Sequence, residues 1–226
     1  MSPRKRERGR RPNEQPRKRP PAAEQQPASA AVVWVGAIGV LGAAVIAALA
    51  LGHWRSVNTN APTTLPAAVN VRALPGLQSG PPPWPAEIGQ LRARLDALGL
   101  PARSGTSLHT HQHLDVFVDG KRVVVPAGIG IGDGFISPLH THDASGVIHV
   151  ESTTVRSYSL ADFFAVWGVR LTKACLADEC GKGELHLFVD GKPAAGPNRV
   201  VLTQHQEIAV AFGPPPKPVP SSYRFP

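Results

Sequence analysis

The apolar positions of this chain change their spacing three times. From Ala31 to Gly52 the run AVVWVGAIGVLGAAVIAALALG carries no charge over twenty-two residues. At a helical rise of 1.5 Å per residue it covers about 33 Å, enough for a hydrocarbon core of about 30 Å. A soluble helix of six turns keeps a polar stripe that this segment lacks. The pattern therefore predicts a transmembrane helix over 31–52, with Trp34 and Trp54 near its ends, where amphipathic rings suit the interface. Further on, Ile88, Leu91, Leu95 and Leu98 recur at helical spacing, and Gly99-Leu100-Pro101 is a stop signal, which predicts a helix over Glu87–Gly99.

From Leu108 the period becomes two. Leu114, Val116 and Val118 alternate with His113, Asp115 and Phe117, then Asp119-Gly120 precedes Val123, Val124 and Val125, the pattern of a hairpin closed by a type I′ turn. Phe117-Val118-Asp119-Gly120-Lys121 returns as Phe188-Val189-Asp190-Gly191-Lys192, which reads as a second hairpin of the same kind. Between them lie a strand over Gly146–Glu151 and a helix. Ser159 and Asp162 form a capping box with Asp in place of the usual Glu, Leu160, Phe163, Phe164 and Trp167 supply the apolar face, and Gly168 ends the helix. Glu207–Phe212 is a final strand. The order of elements predicts an α+β fold, a small mixed β-sheet with one packed helix, similar in order to a β-grasp arrangement. The segment PAGIGIGDG is read as a loop, because the chain does not pass from strand to helix there.

Composition divides the rest. Residues 1–30 are a disordered basic tail and 53–84 a Pro-rich linker that includes Pro81-Pro82-Pro83. Residues 85–213 form the α+β domain, and 214–226 are a Pro-rich C-terminal tail. The formal net charge of +8 belongs mostly to the tail, where nine basic residues face three acidic ones. The domain has no basic stripe with interleaved aromatics, so it is not expected to bind nucleic acid. The basic cluster precedes the apolar run and only Arg55 follows it closely. The positive-inside rule then predicts a single-pass membrane protein with a cytoplasmic N-terminus and an extracytoplasmic domain. The competing expectation is a signal peptide cleaved after Ala48-Leu49-Ala50, against which stand the long basic region and long apolar run. Cys175 and Cys180 bracket Leu-Ala-Asp-Glu, and in an oxidising compartment such a near pair forms a local disulfide. A two-thiolate metal site is the alternative.

The chemistry lies in the histidines. Of nine in the chain, His109, His111, His113, His140, His142 and His149 fall close together. His109, His111 and His113 share one face of an extended strand, opposite the face of Leu114, Val116 and Val118. His140-Thr141-His142 repeats the unit, and His149 shares a face with Glu151. Neutral imidazole and carboxylate suit Zn2+ or Cu2+, with Fe2+ open to two histidines and a carboxylate. Met1 is the only methionine, which argues against a Met-rich Cu(I) carrier. The expected core of one site is His109, His111, His140 and His142. His113 and His149 are alternates, and Asp143 or Glu151 is an outer partner or a general base. His186 and His205 are expected to be structural and His53 interfacial.

The segments HTHQHLDVFVDGKRVVVPAGIGI, LHTHDASGVIHVES and YSLADFFAVWGVRLT resemble a group of bacterial membrane-anchored or secreted proteins with no established activity. The resemblance covers about residues 107–226. It implies a shared domain with its histidine cluster and names no substrate. Three functions remain: a metal-binding or metal-sensing module, a metal-dependent hydrolase with Asp143 or Glu151 as base, and a structural domain without metal. No nucleophile elbow, phosphate loop or His-Glu-x-x-His helix is present. Because the basic residues lie on one side of residues 31–52, mass spectrometry of the protein recovered from membranes is expected to find the anchor intact. A mature N-terminus near residue 51 would overturn that topology.

Overall fold

The computed structural model describes residues 68–225 apart from 72, 73 and 182. The chain divides into units of residues 1–59 and 60–226, and every described residue belongs to the second. The predicted span 31–52, the basic tail and the first part of the predicted linker lie outside the described residues. Among the described residues, no helix is long and apolar enough to cross a membrane.

Alternation over Leu108–Val118 yields the longest strand, β1. It turns through Asp119 (φ 50°) and Gly120 (φ 74°) into β2, Lys121–Val123. Two successive positive φ values are what a type I′ turn requires, and Asp-Gly tolerates them. The second Asp-Gly pair does the same, with Asp190 at 50° and Gly191 at 74°, between β9 (Leu185–Val189) and β10 (Lys192–Pro193). β2 ends at Val123, and Val124 is exposed, so the second hairpin arm is shorter than the valine run suggested. The intervening elements are β3 (Ile131–Gly132), β4 (Phe135–Ile136), β5 (Leu139–His140) and β6 (Val147–Ser152). β7 (Cys175–Leu176) and β8 (Glu179–Cys180) follow, and β11 (Glu207–Phe212) ends the sheet.

The fold is α+β, with a larger sheet than expected, and a helix forms in each of the two segments where the periodicity predicts one. Seven strands run in the order β10-β9-β11-β1-β6-β5, with β2 beside the far half of β1. β1 and β11 are parallel, with His113 opposite Glu207, and the other pairings are antiparallel. The segment read as a loop, 126–134, contains β3 and the turn that leads to its partner β4. The Cys175–Cys180 disulfide is present across the β7–β8 pair.

Helix α1 spans Leu91–Leu98 and α2 spans Leu160–Trp167. The capping box of α2 is formed: the Ser159 hydroxyl accepts from Asp162 N at 3.2 Å, and the Asp162 carboxylate accepts from Ser159 N at 2.7 Å. All eight residues of α2 are buried, as a helix apolar on every side must be. Helix α1 starts later than the periodicity predicted. Ile88 lies ahead of it and is 54% exposed, while Glu87 accepts from Gln90 N in the entry turn. Its buried face includes Arg94, which is fully enclosed. The guanidinium donates to Val166 O at 3.2 Å, in the last turn of α2, and pairs with Glu87. A cation suits the unsatisfied carbonyls of a helix C-terminus.

The last part of the predicted linker packs instead of spacing. Gln78 N donates to Gly168 O at 2.8 Å and Gln78 Nε2 to Trp167 O at 2.9 Å, so this strap caps α2. Leu74 and Trp84 are buried, and the Trp84 ring meets Trp167 edge-on at 6.1 Å. Both helices and the strap cover one face of the sheet. There Leu114, Val116, Ile148, Val150, Ile208 and Val210 meet Phe163, Phe164 and Trp167 in the core. The opposite face carries Phe117, Ala209 and Ala211 at one end and histidines at the other.

Gly130 holds the chain leading to β5. Its φ is 71°, and a Cβ there would lie 2.1 Å from Leu139 O and 2.7 Å from Ser137 Oγ. Gly130→Ala should therefore destabilise the domain by about 2–4 kcal/mol, through left-handed strain plus overlap. Urea denaturation should show a lower midpoint at unchanged slope. A midpoint equal to the parent's would mean that the 126–141 segment relaxes freely.

Candidate metal centre

Register assembles the histidines. β1 and β6 place His111 opposite His149 and His109 opposite Glu151, while β5 and β6 place His140 opposite His149. Directly opposed residues project to the same face, so three neighbouring strands set His111, His149 and His140 in a row. Inward residues fix the backbone between them. Thr141 is buried, donates its hydroxyl to Pro126 O at 2.7 Å and accepts from Ile129 N, so His142 emerges beside His140. Gln112, also buried, donates to Thr110 Oγ1 at 2.8 Å.

Two ring pairs face each other through their Nε2 atoms. His109 and His111 are 3.2 Å apart at Nε2, and so are His140 and His142. A tetrahedral ion with bonds of 2.0–2.1 Å separates its ligand nitrogens by about 3.3–3.4 Å, close to both distances. His149 lies between the pairs, its ring centroid 4.5 Å from those of His111 and His142. Its Nδ1 is buried without a hydrogen-bond partner, since Glu151 Oε1 at 3.5 Å is too distant for one. Glu151 Oε1 is also 3.4 Å from His109 Nε2 and 3.9 Å from His140 Nε2. Candidate ligand atoms of His140, His142, His149 and Glu151 all lie within 4.8 Å of one another, as do those of His109, His111 and His149.

His140 is the most constrained member. It faces away from the helices yet is fully buried. Its Nδ1 donates to Ser137 O at 3.0 Å, which leaves the Nε2 lone pair aimed at His142. A backbone carbonyl that fixes the tautomer in this way is the usual outer partner of a metal-binding histidine. Burial lowers its pKa to about 4. Burial also lowers the pKa values of His111 and His149, with neighbouring histidines adding to the effect. At neutral pH these three imidazoles are uncharged, the form that coordinates metal.

The remaining candidates are placed elsewhere. His113 belongs to a separate buried group with Asp115 and Glu207. Its Nδ1 contacts Glu207 Oε2 at 2.7 Å and its Nε2 contacts Ser145 O at 2.9 Å, so both ring nitrogens are engaged. Asp143 is exposed and accepts from Ser145 N at 2.9 Å, and hydrogen bonds from Ser145 hold its carboxyl below the usual range. It stands at the rim of the cluster, whereas Glu151 stands inside it. His186 lies on β9 with Glu184 at 3.9 Å, away from the cluster.

A cavity of about 440 Å³ adjoins the histidines and is lined by His111, His149 and Asp143 from the sheet side. Its other wall was missed by sequence reasoning. His205, expected to be structural, is held to β1 by its N–H donating to His111 O at 2.7 Å, and it lines the cavity. Tyr223, Arg224 and Phe225, from the tail read as Pro-rich, complete it. Tyr223 stacks on His113 at 3.8 Å and Phe225 on His205 at 4.7 Å. The two aromatics ending a proline run were the only signal, and nothing local says what they cover.

In metal-free protein the lowered pKa of His140 makes stability pH-dependent. Between about 6.5 and about 4 the unfolded chain binds a proton that folded His140 does not. Its contribution is therefore complete above about 6.5 and is lost as the pH falls through the folded value. Thermal midpoints in chelator should drop from pH 7 to pH 4, and less steeply for His140→Gln. An equally steep drop in the variant would assign the effect to other groups.

No protein-family model, curated protein or solved structure matches this chain, so the reading of the site rests on its own geometry.

Proposed function

We propose that the domain binds a transition-metal ion, Zn2+ or Cu2+, through His140, His142, His149 and Glu151. The observation that carries this reading is the buried His140 ring, with Nδ1 given to Ser137 O and Nε2 turned to His142 Nε2 at 3.2 Å. A buried imidazole with one nitrogen fixed by backbone and the other directed at a second imidazole suits a ligand better than a packing residue. The unpartnered Nδ1 of His149 supports the same reading. Three nitrogens and one carboxylate suit Zn2+ or Cu2+, and the domain has no methionine to favour Cu(I).

The domain's address is part of the proposal. The apolar run 31–52 behind a basic tail supports a single-pass anchor with the domain on the outer side. The Cys175–Cys180 disulfide supports an oxidising compartment. The likeness of the HTHQHLDVFVDG and LHTHDASGVIHVE segments to membrane-anchored or secreted bacterial proteins supports the same address. The parallel pairing of β1 and β11 favours the β-grasp-like order and carries no function.

A metal-dependent hydrolase is the second reading. It is favoured by the cavity at His111 and His149, with Asp143 ionised at its rim. An ion with an open position there would activate water, and Asp143 would take its proton.

The test is elemental analysis of the full chain, purified without a polyhistidine tag and passed through gel filtration. Retained Zn2+ or Cu2+ is expected. His142→Ala should lose at least one equivalent, and because His142 is exposed, its circular dichroism should match the parent's. Metal content unchanged in the variant, or a parent that retains none, would overturn the reading and leave a structural role for the histidines.

A further inference from the structure

One ion does not account for this face. A tetrahedral ion takes four ligands, whereas five imidazoles and one carboxylate are gathered here. They are not a loose crowd. The two Nε2–Nε2 pairs of 3.2 Å come from different strands, His109 and His111 from β1, His140 and His142 from the end of β5. Each pair has the spacing of two ligands on one ion. His149 belongs to both four-ångström-scale groups, since its candidate nitrogens lie within 4.8 Å of the ligand atoms of either pair. Glu151 Oε1 reaches from one side to the other, 3.4 Å from His109 Nε2 and 3.9 Å from His140 Nε2.

We propose that the histidine face holds two transition-metal ions, one on His140, His142 and His149 and one on His109 and His111, with Glu151 between them as a shared ligand. This rests on the metal-binding reading above and goes beyond it in number and arrangement. A carboxylate has two oxygens and can serve two ions at once, whereas a neutral imidazole has one free lone pair and serves one. Carboxylate-bridged ions lie about 3.5–4 Å apart. The two pairs differ in setting. His140 is buried and fixed by Ser137 O, while His109 is exposed and neither of its neighbours is a backbone clamp of that kind. The ion on His140 and His142 is therefore the tighter one, and the ion on His109 and His111 fills second. The buried group His113, Asp115 and Glu207 does not compete for the second ion. Both nitrogens of His113 are engaged, and Asp115 pairs with Arg122 at 2.6 Å. The cavity beside His111 and His149 gives the pair access to solvent.

Copper(II) serves as both ligand and reporter. The full chain, titrated with Cu2+ and desalted, should retain two equivalents, taken up in two steps. Fully loaded protein should show the paramagnetic resonance of a coupled pair, with lost intensity at the normal field and a half-field transition. The half-loaded protein should show an isolated ion. His109→Ala with His111→Ala should retain one equivalent with an isolated-ion spectrum. Each failure has its own meaning. No retained copper would overturn both this proposal and the metal-binding reading. One equivalent in the parent would overturn this proposal alone. Two equivalents that persist in the double variant, or two ions without magnetic coupling in the parent, would place the second ion elsewhere and overturn it too. The coupling measurement uses the parent only, so it decides the matter even where the variant folds poorly.

Discussion

Strand β1 runs through the middle of the sheet and is used twice. Its first half pairs with β6 and its second with β11, and the side chains alternate without interruption over all eleven residues. Leu114 and Val116 enter the core beneath α2 while His109, His111 and His113 take the other face. A shift of one residue against either neighbour would exchange the two sets, burying imidazoles among Phe163, Phe164 and Trp167 and exposing the leucine and valine. Register is thus fixed by the large apolar face, and the histidine geometry follows from it. The core does not merely support the site; it supplies its coordinates.

That arrangement concentrates ionisable groups where water is scarce. Burial keeps His140 neutral well below its ordinary range and lowers His111 and His149 in the same direction. A protein without need of these rings would gain from replacing them by apolar residues, since buried polar atoms without partners cost stability. His149 Nδ1 is one such atom. Elsewhere in the domain the Ser159–Asp162 capping box is closed and the Arg94 guanidinium donates to Val166 O, while Gln112 Oε1 and Glu207 Oε1 are also buried without partners. Of these three atoms, His149 Nδ1 is the one that belongs to the group of His140, His142 and Glu151.

Much of this was legible in the chain because it is local. Asp-Gly between alternating runs requires a type I′ turn, and Ser159 with Asp162 and Gly168 brackets a helix whatever surrounds it. The shared face of His109 and His111, and of His149 and Glu151, follows from a period of two. What was not legible depends on distant partners. Arg94 lies on a helical face with Leu91 and Leu95, and only the C-terminal carbonyls of α2 make its burial tolerable. Residues 74–84 have the composition of a spacer, yet Gln78 and Trp84 find partners at the end of α2. His205 and the Tyr223–Phe225 segment reach the histidines only through the packing of β11 beside β1.

The two outermost strands of the main sheet are each two residues long, Leu139–His140 on one side and Lys192–Pro193 on the other. A border this short offers almost no row of free backbone donors and acceptors, and Pro193 has no N–H to give. A strand added against β5 or β10 would therefore gain few ladder hydrogen bonds from them. Copies crowded side by side thus find little to template on at these two short strands, and Pro193 blunts one of them further.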